Sequence, residues 1–186
     1  MRKFLIGLVL SVSILVAGHY ALSSTYTSGY AIAGDTTLLP SFAQLTVTGA
    51  TEYVWTSPTT DVRALERAAS SDRVAAAWYS DTQFKIDLNL TDGLPHRVSL
   101  YLVDWDTANY RIETLEVTDA ATGLVLDTRE ISNFHDGTYA VWDITGHVVI
   151  TVTTVRGNAV VSGVFVTPVS APSPSPSPSP SPSPSP

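Results

Sequence analysis

The sequence predicts an all-β fold: an antiparallel β-sandwich of jelly-roll type, with an immunoglobulin-like sandwich as the alternative. Three observations carry this. Apolar and polar residues alternate at period 2 over most of the chain. About ten such runs are separated by turns bearing Gly, Asp and Asn. Nearly every gap is too short for a crossover helix, which excludes parallel βαβ units. A seven-stranded immunoglobulin arrangement would use the β material less completely, so the jelly roll leads.

Taken in chain order, Gln44 to Thr48 and Glu52 to Thr56 are short β runs around Gly49-Ala50. Ser57-Pro58 then opens the one stretch with helical spacing, where Val62, Leu65, Ala68 and Ala69 fit a brief 3.6-residue period. Arg73 to Ser80 and Thr82 to Leu90 form the next pair, turning near Asp81. In the second of them Phe84, Ile86, Leu88 and Leu90 share one face. Thr91-Asp92-Gly93 reverses the chain. His96 to Asp104 follows, with Val98, Leu100 and Leu102 inward and Arg97, Ser99, Tyr101 and Val103 opposite. In Tyr110 to Thr118 the apolar spacing slips between Ile112 and Leu115, which predicts a β-bulge near Glu113-Thr114. Leu124 to Ile131, Thr138 to Ile144, His147 to Val155 and Ala159 to Thr167 complete the set.

Both ends read differently. Met1 to Lys3 is basic and Phe4 to Gly18 is apolar apart from Ser11 and Ser13, the layout of a secretory signal peptide. The run is shorter than the roughly 20 apolar residues of a membrane span, although an uncleaved anchor reaching Leu22 is the alternative. Residues 1–23 are therefore assigned to the signal peptide and 24–168 to the sandwich. Residues 169–186 form a disordered Ser-Pro-rich linker or tail, in which serine and proline alternate from Pro172. Such a tract favours polyproline II and acts as a semi-rigid spacer toward a partner domain or the cell envelope, with an inert solubilising tail as the alternative. The expected location is secreted or cell-surface, without stable membrane insertion once the signal is cleaved.

Composition removes several function classes. The chain has no cysteine, so disulfide frameworks, zinc fingers and cysteine nucleophiles are excluded. Export without cysteine points to a bacterium. Once Arg2 and Lys3 leave with the signal, eight of the ten basic residues face seventeen acidic ones. That balance argues against nucleic-acid binding. His96, His135 and His147 show no metal-ligand spacing, and no G-x-S-x-G elbow exists. The sequence therefore predicts no catalytic residues and no enzyme. Arg63, Arg67 and Arg73 are expected to pair with Asp61, Glu66 and Asp72 on a solvated face, with an anionic sugar as the other reading.

Asp104-Trp105-Asp106 is the most conspicuous local feature. It ends a strand, and the alternation sends Asp104 toward the core. A carboxylate there must be hydrogen-bonded or metal-bound. Asp104 and Asp106 are the candidate ligands for a structural Ca²⁺, against the plainer reading of Asx turns in the loop. Four tryptophans and several tyrosines on a β scaffold suit the C–H face of a sugar ring. Trp55, Trp78 and Trp142 fall mid-strand and read as core. Trp105 and Tyr110 flank the loop, so Trp105, Tyr110, Asp106 and Asn109 are the candidate ligand-binding residues.

The runs Ser71-Asp72-Arg73-Val74-Ala75-Ala76-Ala77-Trp78-Tyr79, Tyr101-Leu102-Val103-Asp104-Trp105-Asp106 and Asn158-Ala159-Val160-Val161-Ser162-Gly163-Val164-Phe165 resemble a module that recurs in secreted bacterial proteins. In overall character the chain is similar to galactose-binding-like jelly rolls. That resemblance implies carbohydrate or cell-surface glycan binding through loops at one edge of the sandwich, and in some members a structural Ca²⁺. It carries no ligand-contacting residue over by position. The expected function is a secreted, non-catalytic carbohydrate or cell-surface binding module. The alternative is a structural β-sandwich packed against a partner protein or the envelope.

Overall fold

The computed structural model describes residues 28–67 and 70–169. The signal-peptide assignment lies outside these residues, as do the Ser-Pro assignment, apart from Val169, and Ala68 and Ala69 of the helical reading. The described chain is an antiparallel sandwich of jelly-roll type with two main sheets. In chain order the strands are β1 (Gly29–Ile32), β2 (Thr37–Leu38), β3 (Ala43–Thr48), β4 (Thr51–Thr59), β5 (Leu65–Glu66), β6 (Arg73–Ser80) and β7 (Gln83–Leu90). Then come β8 (His96–Leu102), β9 (Ile112–Asp119), β10 (Val125–Ser132), β11 (Thr138–Ile144), β12 (His147–Arg156), β13 (Ala159–Val161) and β14 (Gly163–Pro168). One sheet runs β11-β8-β14-β1-β2 and the other β10-β9-β12-β7-β3. A smaller sheet, β13-β6-β4, carries β5 beside β6.

The period-2 pattern sets the core. Phe84, Ile86, Leu88 and Leu90 of β7 meet Val148, Ile150 and Val152 of β12 in register, and all are buried. From the facing sheet Val98, Leu100 and Leu102 of β8 and Val164 and Val166 of β14 join the same cluster. Each such side chain contributes roughly 1.5–3 kcal/mol by leaving water. His96, at the start of β8, is buried with its Nε2 2.9 Å from an Asp92 carboxylate oxygen and its ring stacked on Phe42.

Several expectations are corrected. The described part of the helical stretch is not helical: β4 continues through Ser57-Pro58 to Thr59, and Leu65–Glu66 is a two-residue strand on β6. Arg73 donates to the Ala64 carbonyl at 2.8 Å, which fixes that connection as a loop folded onto the sheet. The three arginines do pair as expected, Arg63 with Asp61, Arg73 with Glu66 and Arg67 with Asp72. The bulge expected at Glu113-Thr114 is absent from β9, which alternates regularly with Glu113, Leu115 and Val117 buried. The slips fall on its neighbours, between Thr154 and Arg156 and between Val125 and Asp127. The spacing misled because a glutamate points inward where an apolar residue was expected. Tyr101 and Val103 are also buried, because the Asp61–Arg67 loop closes over that face and Tyr101 Oη donates to the Arg63 carbonyl at 2.6 Å. The last run is broken at Ser162, so β13 serves the small sheet and β14 a main one.

Candidate functional site

The small sheet builds the site. Tyr53 lies opposite Ala77 on β6, while Tyr79 lies between Thr51 and Val160, so Tyr53, Ala77, Tyr79 and Val160 share one face. Trp78 points to the other face, where it packs on the core. The β4–β6 register slips between Val54 and Thr56, leaving Trp55 as the unpaired residue of a bulge. Trp55 is half-buried: it packs against the core, as its mid-strand position suggested, and also lines the same cleft as Tyr53. The cleft has a volume of about 190 Å³, with Tyr53, Trp55 and Tyr79 as walls, Ala77 as floor, and Asp106, Arg111 and Asn158 along one edge. Tyr53 meets Trp55 and Tyr79 edge-to-face at 5.9 and 6.2 Å. Trp105 continues the row, nearly parallel to Trp55 at 6.4 Å.

The polar edge is organised by Arg111, which is only 5% exposed. Its Nη1 donates to the buried Asp104 carboxylate, to Asp106 Oδ1 at 2.6 Å and to Thr107 Oγ1 at 3.2 Å. Its Nε donates to Asn158 Oδ1 at 2.7 Å. Asp106 Oδ2 accepts from the Trp55 indole N–H at 3.1 Å, tying the charged edge to the aromatic wall. The Arg111 guanidinium also stands 5.8 Å from the Trp55 ring centre. Asp104 and Asp106, the candidate Ca²⁺ ligands, both pair with the Arg111 guanidinium. Among the described residues no group of three or more His, Cys, Asp or Glu could hold a metal ion.

Burial raises the pKa of Asp104, but the Thr107 hydroxyl, the Arg111 backbone N–H and the guanidinium outweigh it and hold the carboxyl below its ordinary range. Glu113 is the opposite case. It is buried in β9 with only the Val160 N–H on Oε2, at 2.8 Å, and no partner for Oε1 among the described residues. Burial pushes it up to about 8, against the smaller opposing effects of the Val160 N–H and the Arg111 charge. At neutral pH it is chiefly a neutral acid. Gly157, at φ +79°, lets the β12–β13 loop press against Tyr110 and Arg111; a Cβ there would sit 3.3 Å from both side chains.

Of the sequence candidates, Asp106 lines the cleft and Trp105 adjoins it through Trp55. Trp105 carries the Arg63 guanidinium at 4.4 Å from its ring centre. Tyr110 and Asn109 do not line it. Tyr110 is 54% exposed with Arg156 over its ring, and the Asn109 side chain accepts the His135 N–H at 2.7 Å. Sequence reasoning missed Tyr53, Tyr79, Arg111 and Asn158. The available signal was two aromatic-bearing i, i+2 pairs, Tyr53/Trp55 and Ala77/Tyr79. Trp142, expected in the core, packs against it half-buried and bonds its indole N–H to Asp127 at 2.6 Å.

No protein-family model matches the chain, and no curated protein matches it. Among solved structures, it is similar to a family 35 carbohydrate-binding module from Clostridium thermocellum (12% identity, TM-score 0.40, 77% of this chain and 99% of that one). It is also similar to the module CBM6cm-2 from Cellvibrio mixtus lichenase 5A in complex with cellotriose (10%, 0.41, 76% and 97%). A third is TmCBM61 in complex with β-1,4-galactotriose (15%, 0.34, 68% and 85%).

Proposed function

We propose that this protein is an exported, non-catalytic binding module that holds a carbohydrate in the Trp55 cleft. One observation carries the reading: three aromatic walls converge with a guanidinium, a carboxylate and a carboxamide along one edge of a single small cleft. Aromatic faces match the C–H face of a sugar ring, and the polar edge matches its hydroxyls. Each polar side chain on its edge is held by a neighbour through at least one hydrogen bond, which fixes its position. A small open cleft of this kind gives modest affinity, and the Ser-Pro tract would link the module to a partner domain or hold it off the cell surface.

The test is a screen of soluble polysaccharides against the full chain, read by tryptophan fluorescence with and without Ca²⁺. Saturable quenching that disappears in Trp55→Ala supports the reading; dependence on Ca²⁺ would support a metal at Asp104 and Asp106. The second reading, a structural module packed on a partner, is favoured by Leu124, Val125 and Leu126, which are consecutive and exposed. A screen without any response favours that reading instead.

A further inference from the structure

The charges around the cleft bear on which sugars it accepts, an inference that rests on the cleft being a glycan site. Only Asp106 and Arg111 bring formal charge to its lining. Arg111 is not a free cation: Nη1 is shared by Asp104 and Asp106 and Nε is taken by Asn158. Only Nη2 has no acceptor among the described residues. Asp104 lies ionised directly behind, so two carboxylates face one guanidinium and the site carries a net negative charge. The neighbouring arginines stand outside the lining, although Arg156 has no carboxylate partner among the described residues and keeps its charge. Arg63, on the far side of Trp105, is paired with Asp61 at 2.8 Å. Arg156, beyond Gly157, donates to the carbonyls of Tyr110 and Asn109 and covers the Tyr110 ring. Neither lines the cleft.

We infer that the cleft selects uncharged glycans and discriminates against uronates. A hydroxyl is both acceptor and donor, so one sugar edge satisfies Arg111 Nη2 and the Asp106 carboxylate together. A ligand carboxylate offers only acceptors. It would compete with Asp104 and Asp106 for the same guanidinium while lying against Asp106, and that like-charge contact is what rejects it.

The experiment titrates the full chain with two arms at matched low ionic strength. The neutral arm is xylan, galactomannan and a soluble β-glucan; the acidic arm is polygalacturonate and alginate. The expected result is saturable binding within the neutral arm and binding weaker by about tenfold or more in the acidic arm. In Asp106→Asn, which keeps a side-chain oxygen for the Trp55 indole, the acidic arm should gain at least about fivefold and added salt should erase the wild-type difference. Uronate binding equal to or tighter than neutral binding, and lost in Trp55→Ala, overturns the selectivity while leaving the cleft a glycan site. An unchanged acidic arm in Asp106→Asn also overturns it. No response in either arm removes the glycan reading itself.

Discussion

Two places in this molecule use the same three residue types and do different things with them. At the open edge of the sandwich, Trp142 of β11 donates its indole N–H to Asp127 of β10 at 2.6 Å, and Arg129 lies 4.5 Å over the ring. At the cleft, Trp55 donates to Asp106 and Arg111 lies 5.8 Å from the ring. The first group joins the edge strands of the two main sheets. Arg129 is 39% exposed, pairs with Asp127 and donates to the Val141 carbonyl. No further ring adjoins Trp142 among the described residues, so the group acts as a clasp. The second group has a buried arginine held by two carboxylates, and the aromatic neighbours Tyr53 and Trp105. A tryptophan–aspartate–arginine cluster is therefore not a site in itself; burial of the cation and company for the ring distinguish the candidate from the clasp.

The sharpest way to break this contrast is to remove both cations. Arg111→Met leaves Asp104 buried and uncompensated, and should lower the unfolding free energy by about 3–5 kcal/mol. Arg129→Met removes a solvated pair and should cost about 0–1 kcal/mol. Urea midpoints at neutral pH measure both, and equal losses would erase the distinction.

A second expectation concerns the acid behind the cleft. The folded Glu113 pKa, about 8, stands above the ordinary value of 4.5. The folded state therefore holds a proton that the unfolded chain has released across this window. Linkage then makes stability fall as pH rises from about 4.5 to about 8, by up to roughly 1.4 kcal/mol per pH unit from this group. Glu113→Gln keeps an acceptor for the Val160 N–H and cannot ionise. Its melting temperature should stay level over that window while the parent's declines. Parallel curves would mean that Glu113 is not the buried acid described here. Nothing on the Arg129 side of the comparison predicts such a slope.

The smallest effect sharpens the comparison from the clasp side. Trp142→Phe keeps an aromatic ring but loses the N–H to Asp127 and part of the indole, so unfolding should be easier by at least about 0.5–1.5 kcal/mol with glycan binding unchanged. A binding loss would mean that the clasp reaches the cleft.

Much of the fold is legible in the sequence, because strands with one buried face must alternate. β6, β11 and the cores of β7 and β12 fall where the apolar period puts them. The failures have physical causes. Glu113 broke the apolar pattern of β9 because a carboxyl can be buried as a neutral acid, which hydropathy alone does not anticipate. The bulge at Trp55 leaves a half-buried tryptophan that packs on the core and also lines the cleft, and a bulge is a property of the pairing, not of one strand. The site was half visible. Asp104-Trp105-Asp106 marks its loop, but the partners come from β4, β6 and the residues after β12, which only the fold brings together. Arg111 was overlooked because its role depends on seeing two carboxylates close on it across a loop.

The account stands on Trp55 as a binding wall and Trp142 as a clasp. Titration calorimetry of the full chain, Trp55→Ala and Trp142→Ala with the neutral polysaccharide that responds best tests it directly. Trp55→Ala should weaken binding by at least about tenfold, or about 1.4 kcal/mol, and Trp142→Ala should leave it unchanged. Unaltered binding in Trp55→Ala, or equal losses in the two variants, would contradict the account.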